Sequence, residues 1–296
     1  MNTFFVRLVT GVIVAALFVS GMLYHPLTYG VVILIAVIGG VYEFYTISAP
    51  ARNGSTSGRG TTVALAGLVT ALSVLFNIRP FVFADIAILL PAVLFFFFVK
   101  ELFTKSENPF QNIGWNILPF IYIVLPVMLL NWVYFDKGPL VALGLLWMIW
   151  FYDSMCYICG SLLGRTKLME RISPKKTVEG LVGGMILALV LVFFYDKILA
   201  YLSVLSPKFH FRAEPYTNIQ WVIIGFVTLI FATFGDLVES LLKRSLNIKD
   251  SGSIMPGHGG FLDRLDAILV AVPFGILTMW IIDRISQIGL LLDFLK

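Results

Sequence analysis

The sequence predicts an all-α fold: a polytopic membrane helical bundle of about nine transmembrane helices. Three observations predict it. Of the 296 residues, 59% are hydrophobic and only 13% charged, where a soluble domain carries about a quarter charged residues. Mean hydropathy is +0.93. The apolar residues fall into runs close to the ~20 residues that a helix needs to cross the hydrocarbon. These runs extend from end to end, and no polar block between them is large enough to fold separately, so residues 1–296 read as a single integral membrane domain.

The runs follow one another in order. The first, 4–23, has Arg7 ahead of an apolar core and so shares the layout of a secretory signal, but its length and the lack of a soluble block after it read as an anchor. Run 27–47 leads into segment 50–60, where Pro50, Gly54, Ser55, Ser57, Gly58 and Gly60 make a surface loop. Runs 61–78 and 81–99 follow, the latter closing on Phe95–Phe98. Runs 114–135, 139–161 and 178–202 come next. Segment 203–217, with Pro207 and Pro215, reads as a short excursion on the outer side, and runs 218–243 and 265–290 complete the bundle. Lys and Arg concentrate in the loops after the second, fourth, sixth and eighth runs, so the positive-inside rule turns those loops to the cytoplasm and both termini outward.

A net charge of +4 and a pI near 9.0 suit an anionic lipid surface or an anionic substrate. Nucleic acid is not an expected partner, because no dense Lys/Arg run exists. Cys156 and Cys159 have no further Cys and no nearby His, which argues against a zinc site. A redox-active pair competes there with two small apolar residues one helical turn apart.

The chemistry gathers in the last third. In the eighth run Asp236, Ser240 and Lys243 are spaced i, i+4, i+7 with Glu239 beside them, so all four share one helical stripe. Such a stripe cannot face lipid: its carboxylates need a cation, a basic partner or water. A self-satisfied salt-bridge stripe that helps the bundle pack is the competing reading. The loop that follows carries Arg244, Lys249 and Asp250, then His258 between Gly257, Gly259 and Gly260. Glycines let backbone N–H groups converge into an anion-binding nest, though the same residues serve ordinary turns. Asp263, Arg264 and Asp266 stand where the last run begins. There one aspartate suits a helix N-cap, while two with Asp236 suit a hard cation such as Mg2+.

A second basic set lies between runs six and seven: Ser173-Pro174-Lys175-Lys176-Thr177-Val178-Glu179-Gly180. Pro174 breaks what precedes it, and Thr177 with Gly180 resembles a helix start at which backbone amides and two lysines grip an anion. A plain topology signal is the alternative. Asp153 lies inside an apolar run. With a helix continuing to residue 161 it sits ~12 Å below the surface, which calls for a water-filled cavity or a metal.

These residues carry a family resemblance. The stretch Ser240-x-x-Lys243-Arg244, Lys249-Asp250, Pro256-x-His258-Gly259-Gly260 and Asp263-Arg264-x-Asp266 resembles the signature of the phosphatidate cytidylyltransferases, the CDP-diacylglycerol synthases. The set 173–180 and Asp153-Ser154-x-x-Tyr157 reinforce it. Met255 stands where the family has Leu, Ile or Phe, and Cys156 where it has Ala; both are conservative in size and polarity. Roughly residues 1–140 resemble the family in hydropathy alone, which leaves those helices without an assigned role and puts the catalytic helices and cytoplasmic loops in 141–296.

The resemblance implies transfer of CMP from CTP to phosphatidic acid, giving CDP-diacylglycerol and pyrophosphate, at the cytoplasmic face of the inner membrane. It implies Asp236 and Asp263 as ligands of Mg2+, with a second monovalent or divalent cation as an option. Lys243, Arg244, Lys249, Asp250, His258, Arg264 and Asp266 are the catalytic candidates. Lys175, Lys176, Thr177, Ser240, Gly259 and Gly260 are the substrate-binding ones, with Asp153 and Glu239 as additions. A homodimer is expected at the family level only. A CTP-dependent polyprenol or phytol kinase is the alternative enzyme and would release CDP. A membrane transporter is the alternative of another class; it fits less well with polar residues gathered at one face and no repeat.

Overall fold

The computed structural model describes residues 16, 18–49, 58–77, 84–104, 107–198, 201, 216–252 and 259–294. They form a helical bundle with one small hairpin. Residues 18–24 are helical and precede α1 (Pro26–Ile47), α2 (Arg59–Asn77) and α3 (Ala84–Leu102). Then come α4 (Pro109–Asp136), α5 (Pro139–Leu163), strands β1 (Lys167–Met169) and β2 (Ser173–Thr177), α6 (Val178–Phe193), α7 (Asn218–Ser245) and α8 (Leu262–Phe294). Five of these are long and apolar enough to cross a membrane: Pro26–Ile47, Pro109–Asp136, Pro139–Leu163, Asn218–Ser245 and Leu262–Ile288. The chain is thus a multi-pass membrane protein. Most of the first expected span, most of the loop 50–60 and nearly all of the outer excursion 203–217 lie outside the described residues.

Local chemistry sets the helix ends. Pro26 opens α1 behind His25, whose ring Nδ1 accepts from Leu27 N at 3.1 Å. Thr217 caps α7 in a reciprocal box: its hydroxyl accepts from Gln220 N at 3.4 Å, and Gln220 Oε1 accepts from Thr217 N at 2.8 Å. Inside α4, residues Phe120–Val124 form a π turn. Its cause is Pro126, which has no N–H for the carbonyl of Tyr122, so the ladder shifts and Leu125 N bonds to Phe120 O instead.

A continuous apolar core, including Val37, Phe44, Ile123, Met128, Leu145, Ile149, Trp221 and Val272, runs through α1, α4, α5, α7 and α8. Polar side chains inside it bond across helices, as they must where no water is available. Tyr29 donates to Asn131 Oδ1 at 2.6 Å, and Asn131 donates to Ser73 at 3.1 Å, tying α1, α4 and α2 together. Tyr45 and Thr62 both donate to Asn116. At the other end of the bundle Lys137 pairs with Asp283 at 2.7 Å. Helices α7 and α8 pack most intimately: a Cβ on Gly235 would stand 2.7 Å from the Asp266 carbonyl and 3.0 Å from Ala267 Cα, so only glycine admits that approach.

One departure from the sequence reading is small. The segment 173–177 is a strand, paired antiparallel with β1 in the register Lys167↔Thr177 and Met169↔Ser173. A two-stranded ribbon is all edge, so Pro174 costs it little. Cys156 and Cys159 are free thiols. Their sulfurs abut Gly184 and Gly183 of α6, in keeping with the packing reading.

Candidate active site

The polar residues meet at one end of the bundle. There α1, α5 and α7 finish, α6 and α8 begin, and the hairpin lies beside them. On α7 the stripe expected from the 3.6-residue period is present. Asp236 Oδ1 accepts from Ser240 Oγ at 3.3 Å, and the Asp236 carboxylate forms an ion pair with Lys176 of β2. Glu239 is wholly buried. One of its oxygens pairs with Lys243 Nζ at 3.0 Å, while Oε1 has no hydrogen-bond partner among the described residues.

Lys243 Nζ also donates to Asp263 Oδ1 of α8, at 2.7 Å. The other oxygen of Asp263 accepts from Ser251 N and Gly260 N, both at 2.9 Å, and lies 3.0 Å from Ser251 Oγ. Asp263 therefore fastens the signature loop to the helix that begins beside it, in the place favoured for a carboxylate at a helix N-terminus. Gly259 makes this possible with φ +80, a left-handed conformation, and a Cβ there would stand 2.5 Å from Asp263 Oδ2.

One turn deeper on α8, Asp266 Oδ1 accepts from Ala267 N at 2.7 Å. It lies level with Asp236, because Gly235 brings the two backbones together. Asp153 on α5 is exposed although it belongs to a spanning helix. Its electrostatic neighbours are Asp266, Asp236 and Lys176, so it looks into an open polar recess and not into lipid. Tyr122, from the π turn of α4, has a buried hydroxyl without a hydrogen-bond partner among the described residues, with Glu239, Asp266 and Asp236 as electrostatic neighbours.

The second basic set divides. Lys176 reaches Asp236, whereas Lys175 is exposed on the hairpin. Thr177 is buried and caps α6, its hydroxyl accepting from Gly180 N at 3.2 Å. Glu179 holds the hairpin entrance by accepting from Arg165 N at 3.0 Å and Thr166 N at 3.1 Å. Arg244 donates to Ile172 O and Ile248 O, both at 3.4 Å, and so links the hairpin to the signature loop. Lys249, Asp250 and Arg264 are exposed. His258 lies outside the described residues.

Among the described residues no three His, Cys, Asp or Glu side chains already converge as a closed metal site. The donors nonetheless suit a hard divalent cation. They are carboxylates on three helices facing one recess, with an orphaned buried oxygen on Glu239 and two lysines as the partners now in place. Such a surface can hold cations between its acids and phosphate oxygens at Lys175, Lys176 and Lys243. Sequence reasoning missed Glu43, Ser251 and Tyr122. Glu43 and Tyr122 lie in or at the edge of apolar runs, where periodicity gives them no signal.

The model of the Cytidylyltransferase family matches residues 5–282. A phosphatidate cytidylyltransferase of Bacillus subtilis strain 168 is 37% identical over 176 residues, 57% of this chain and 59% of the relative. One of Haemophilus influenzae is 34% identical over 177 residues, 57% of each chain. One of Rickettsia felis is 37% identical over 172 residues, 57% of this chain and 70% of the relative. The matches to the first two cover less than two thirds of those relatives. A family match that runs through every helix of the recess leaves one conclusion: the chain belongs to the cytidylyltransferase family.

Proposed function

We propose that this chain transfers the cytidylyl group of CTP to phosphatidic acid, releasing pyrophosphate and forming CDP-diacylglycerol, at the cytoplasmic face of the inner membrane. The observation that carries this reading is the joining of Asp236, Glu239, Lys243, Asp263 and Asp266 on α7 and α8 with Lys176 and Asp153 around one recess. Family membership and the names of the relatives support it.

A phosphate oxygen of the lipid attacks the α-phosphorus of CTP, and the bond to the β-phosphate oxygen breaks. The lipid phosphate is a monoester with a second pKa of about 6, so it is largely dianionic at neutral pH and needs no general base. What the reaction needs is alignment of two mutually repelling anions. Lys175, Lys176 and Lys243 supply positive charge toward the phosphates, with Arg244, Lys249 and Arg264 at the rim and Ser240 lining the pocket beside Asp236. Asp236 and Asp263, with Asp266 and Asp153 at hand, would hold Mg2+, which screens charge and polarises the phosphoryl oxygens when bound. Lys243, paired with Asp263 at 2.7 Å, stands beside these carboxylates and would meet a substrate phosphate there.

The test is an assay of purified protein with radiolabelled CTP, phosphatidate and Mg2+. Label in the organic phase with pyrophosphate in the aqueous phase is the expected result. Release of CDP with a phosphorylated alcohol would turn the assignment to a CTP-dependent lipid kinase.

A further inference from the structure

We propose that Glu43, on α1 in the half of the chain without an assigned role, is a positioning residue for the transfer reaction. The inference rests on the reading given under Proposed function. Glu43 is 3% exposed, yet it forms no ion pair with a described Lys or Arg. Its Oε2 accepts from Leu262 N at 3.0 Å and from Ser251 Oγ at 3.1 Å. Leu262 is the first residue of α8, so Glu43 takes one of the donors that a helix leaves unsatisfied at its N-terminus. The same Ser251 hydroxyl lies 3.0 Å from Asp263 Oδ2. Glu43 therefore stands at the head of a chain of contacts: Glu43 to Ser251, Ser251 to Asp263, Asp263 to Lys243, and Lys243 to Glu239.

The fit is close. A Cβ on Gly252 would stand 2.5 Å from Glu43 Oε1, and Gly260 touches Oε2 in the same way, so both ends of the signature loop are moulded around this carboxylate. A buried carboxylate is expensive to desolvate, and this one lies more than 200 residues away in sequence from the groups it holds. Placing Asp263 and the start of α8 accounts for it. Glu43 does not reach the recess itself, so it acts on the reaction through Ser251 and Asp263.

The experiment uses the full-length protein in detergent, with the wild type showing CTP-dependent labelling of phosphatidate as the reference. Glu43→Ala is expected to lower kcat by about 10- to 100-fold with KM for phosphatidate little changed, and to lower the unfolding temperature because Leu262 N and Ser251 Oγ lose their acceptor. Glu43→Gln keeps an oxygen acceptor in place and is expected to recover most of the lost kcat. Ser251→Ala is expected to lower kcat similarly, and the Glu43→Ala/Ser251→Ala double variant to lose no more than the worse single one. Wild-type kcat in folded Glu43→Ala, or losses that multiply in the double variant, would overturn the proposal. If Glu43→Ala does not fold, Ser251→Ala decides alone: reduced kcat at unchanged lipid KM supports the proposal, and wild-type kinetics sinks it. An inactive wild type would instead count against the assigned reaction.

Discussion

Asp263 concentrates more duties than any neighbouring side chain, since its two oxygens accept from Lys243, Ser251 and Gly260. Asp263→Asn keeps the shape but removes the charge and turns one acceptor into a donor. Turnover should fall below detection, with a stability cost of about 1–3 kcal/mol from the mismatched partner; wild-type activity in a folded variant would remove Asp263 from the reaction. Tyr122→Phe separates two effects. The hydroxyl is buried without a partner among the described residues, so deleting it should leave thermal stability equal or slightly higher. If that hydroxyl meets substrate, the rate drops by about tenfold at the same time. Unchanged kcat and KM would assign Tyr122 to packing alone. The sequence exposes Asp263 because it belongs to a charged island. It hides Tyr122, an aromatic residue in an apolar run, since nothing in one-dimensional spacing shows that a π turn lies there.

At the level of elements, the α7–α8 contact decides whether the carboxylates face one another. Gly235→Ala would drive a methyl group against the backbone at Asp266 and Ala267. The expected cost is about 1–3 kcal/mol, read as a lower unfolding temperature, together with loss of turnover as Asp236 and Asp266 move apart. An active, equally stable variant would mean that the two helices are free to adjust. The stripe on α7 was legible because charged residues at i, i+3 and i+7 in an apolar helix are too costly to keep unless they meet cations, basic groups or water. The start of α6 at Thr177 was legible from a hydroxyl residue followed by Gly180, after the break at Pro174. The hairpin was not. Its strands have three and five residues, too short for an alternating pattern to stand out from a basic loop with a proline.

For the whole molecule, the bundle was foreseen from hydropathy, whereas the link between its two halves was not. Glu43 contacts Leu262 across 219 positions, and a single glutamate near the end of an apolar run gives no hint of such a partner. The expected topology can be tested directly. In a background with Cys156 and Cys159 replaced by alanine, Lys175→Cys should react with an impermeant thiol reagent from the cytoplasmic side and Lys137→Cys from the opposite side. Both labelling from one side would break the arrangement of spans.

The exposed carboxylate of Asp153 has a further consequence. Helix α5 runs on from Asp153 to Leu163, about 15 Å at the helical rise. With Leu163 at the membrane surface, that depth exceeds the headgroup layer of an ordinary leaflet and enters the acyl region. A phospholipid engaged at the recess must therefore be drawn inward, or the surrounding leaflet must dip to meet it. The thickness of the host bilayer then becomes a control variable: reconstitution in lipids of graded chain length should show a rate optimum toward thinner membranes.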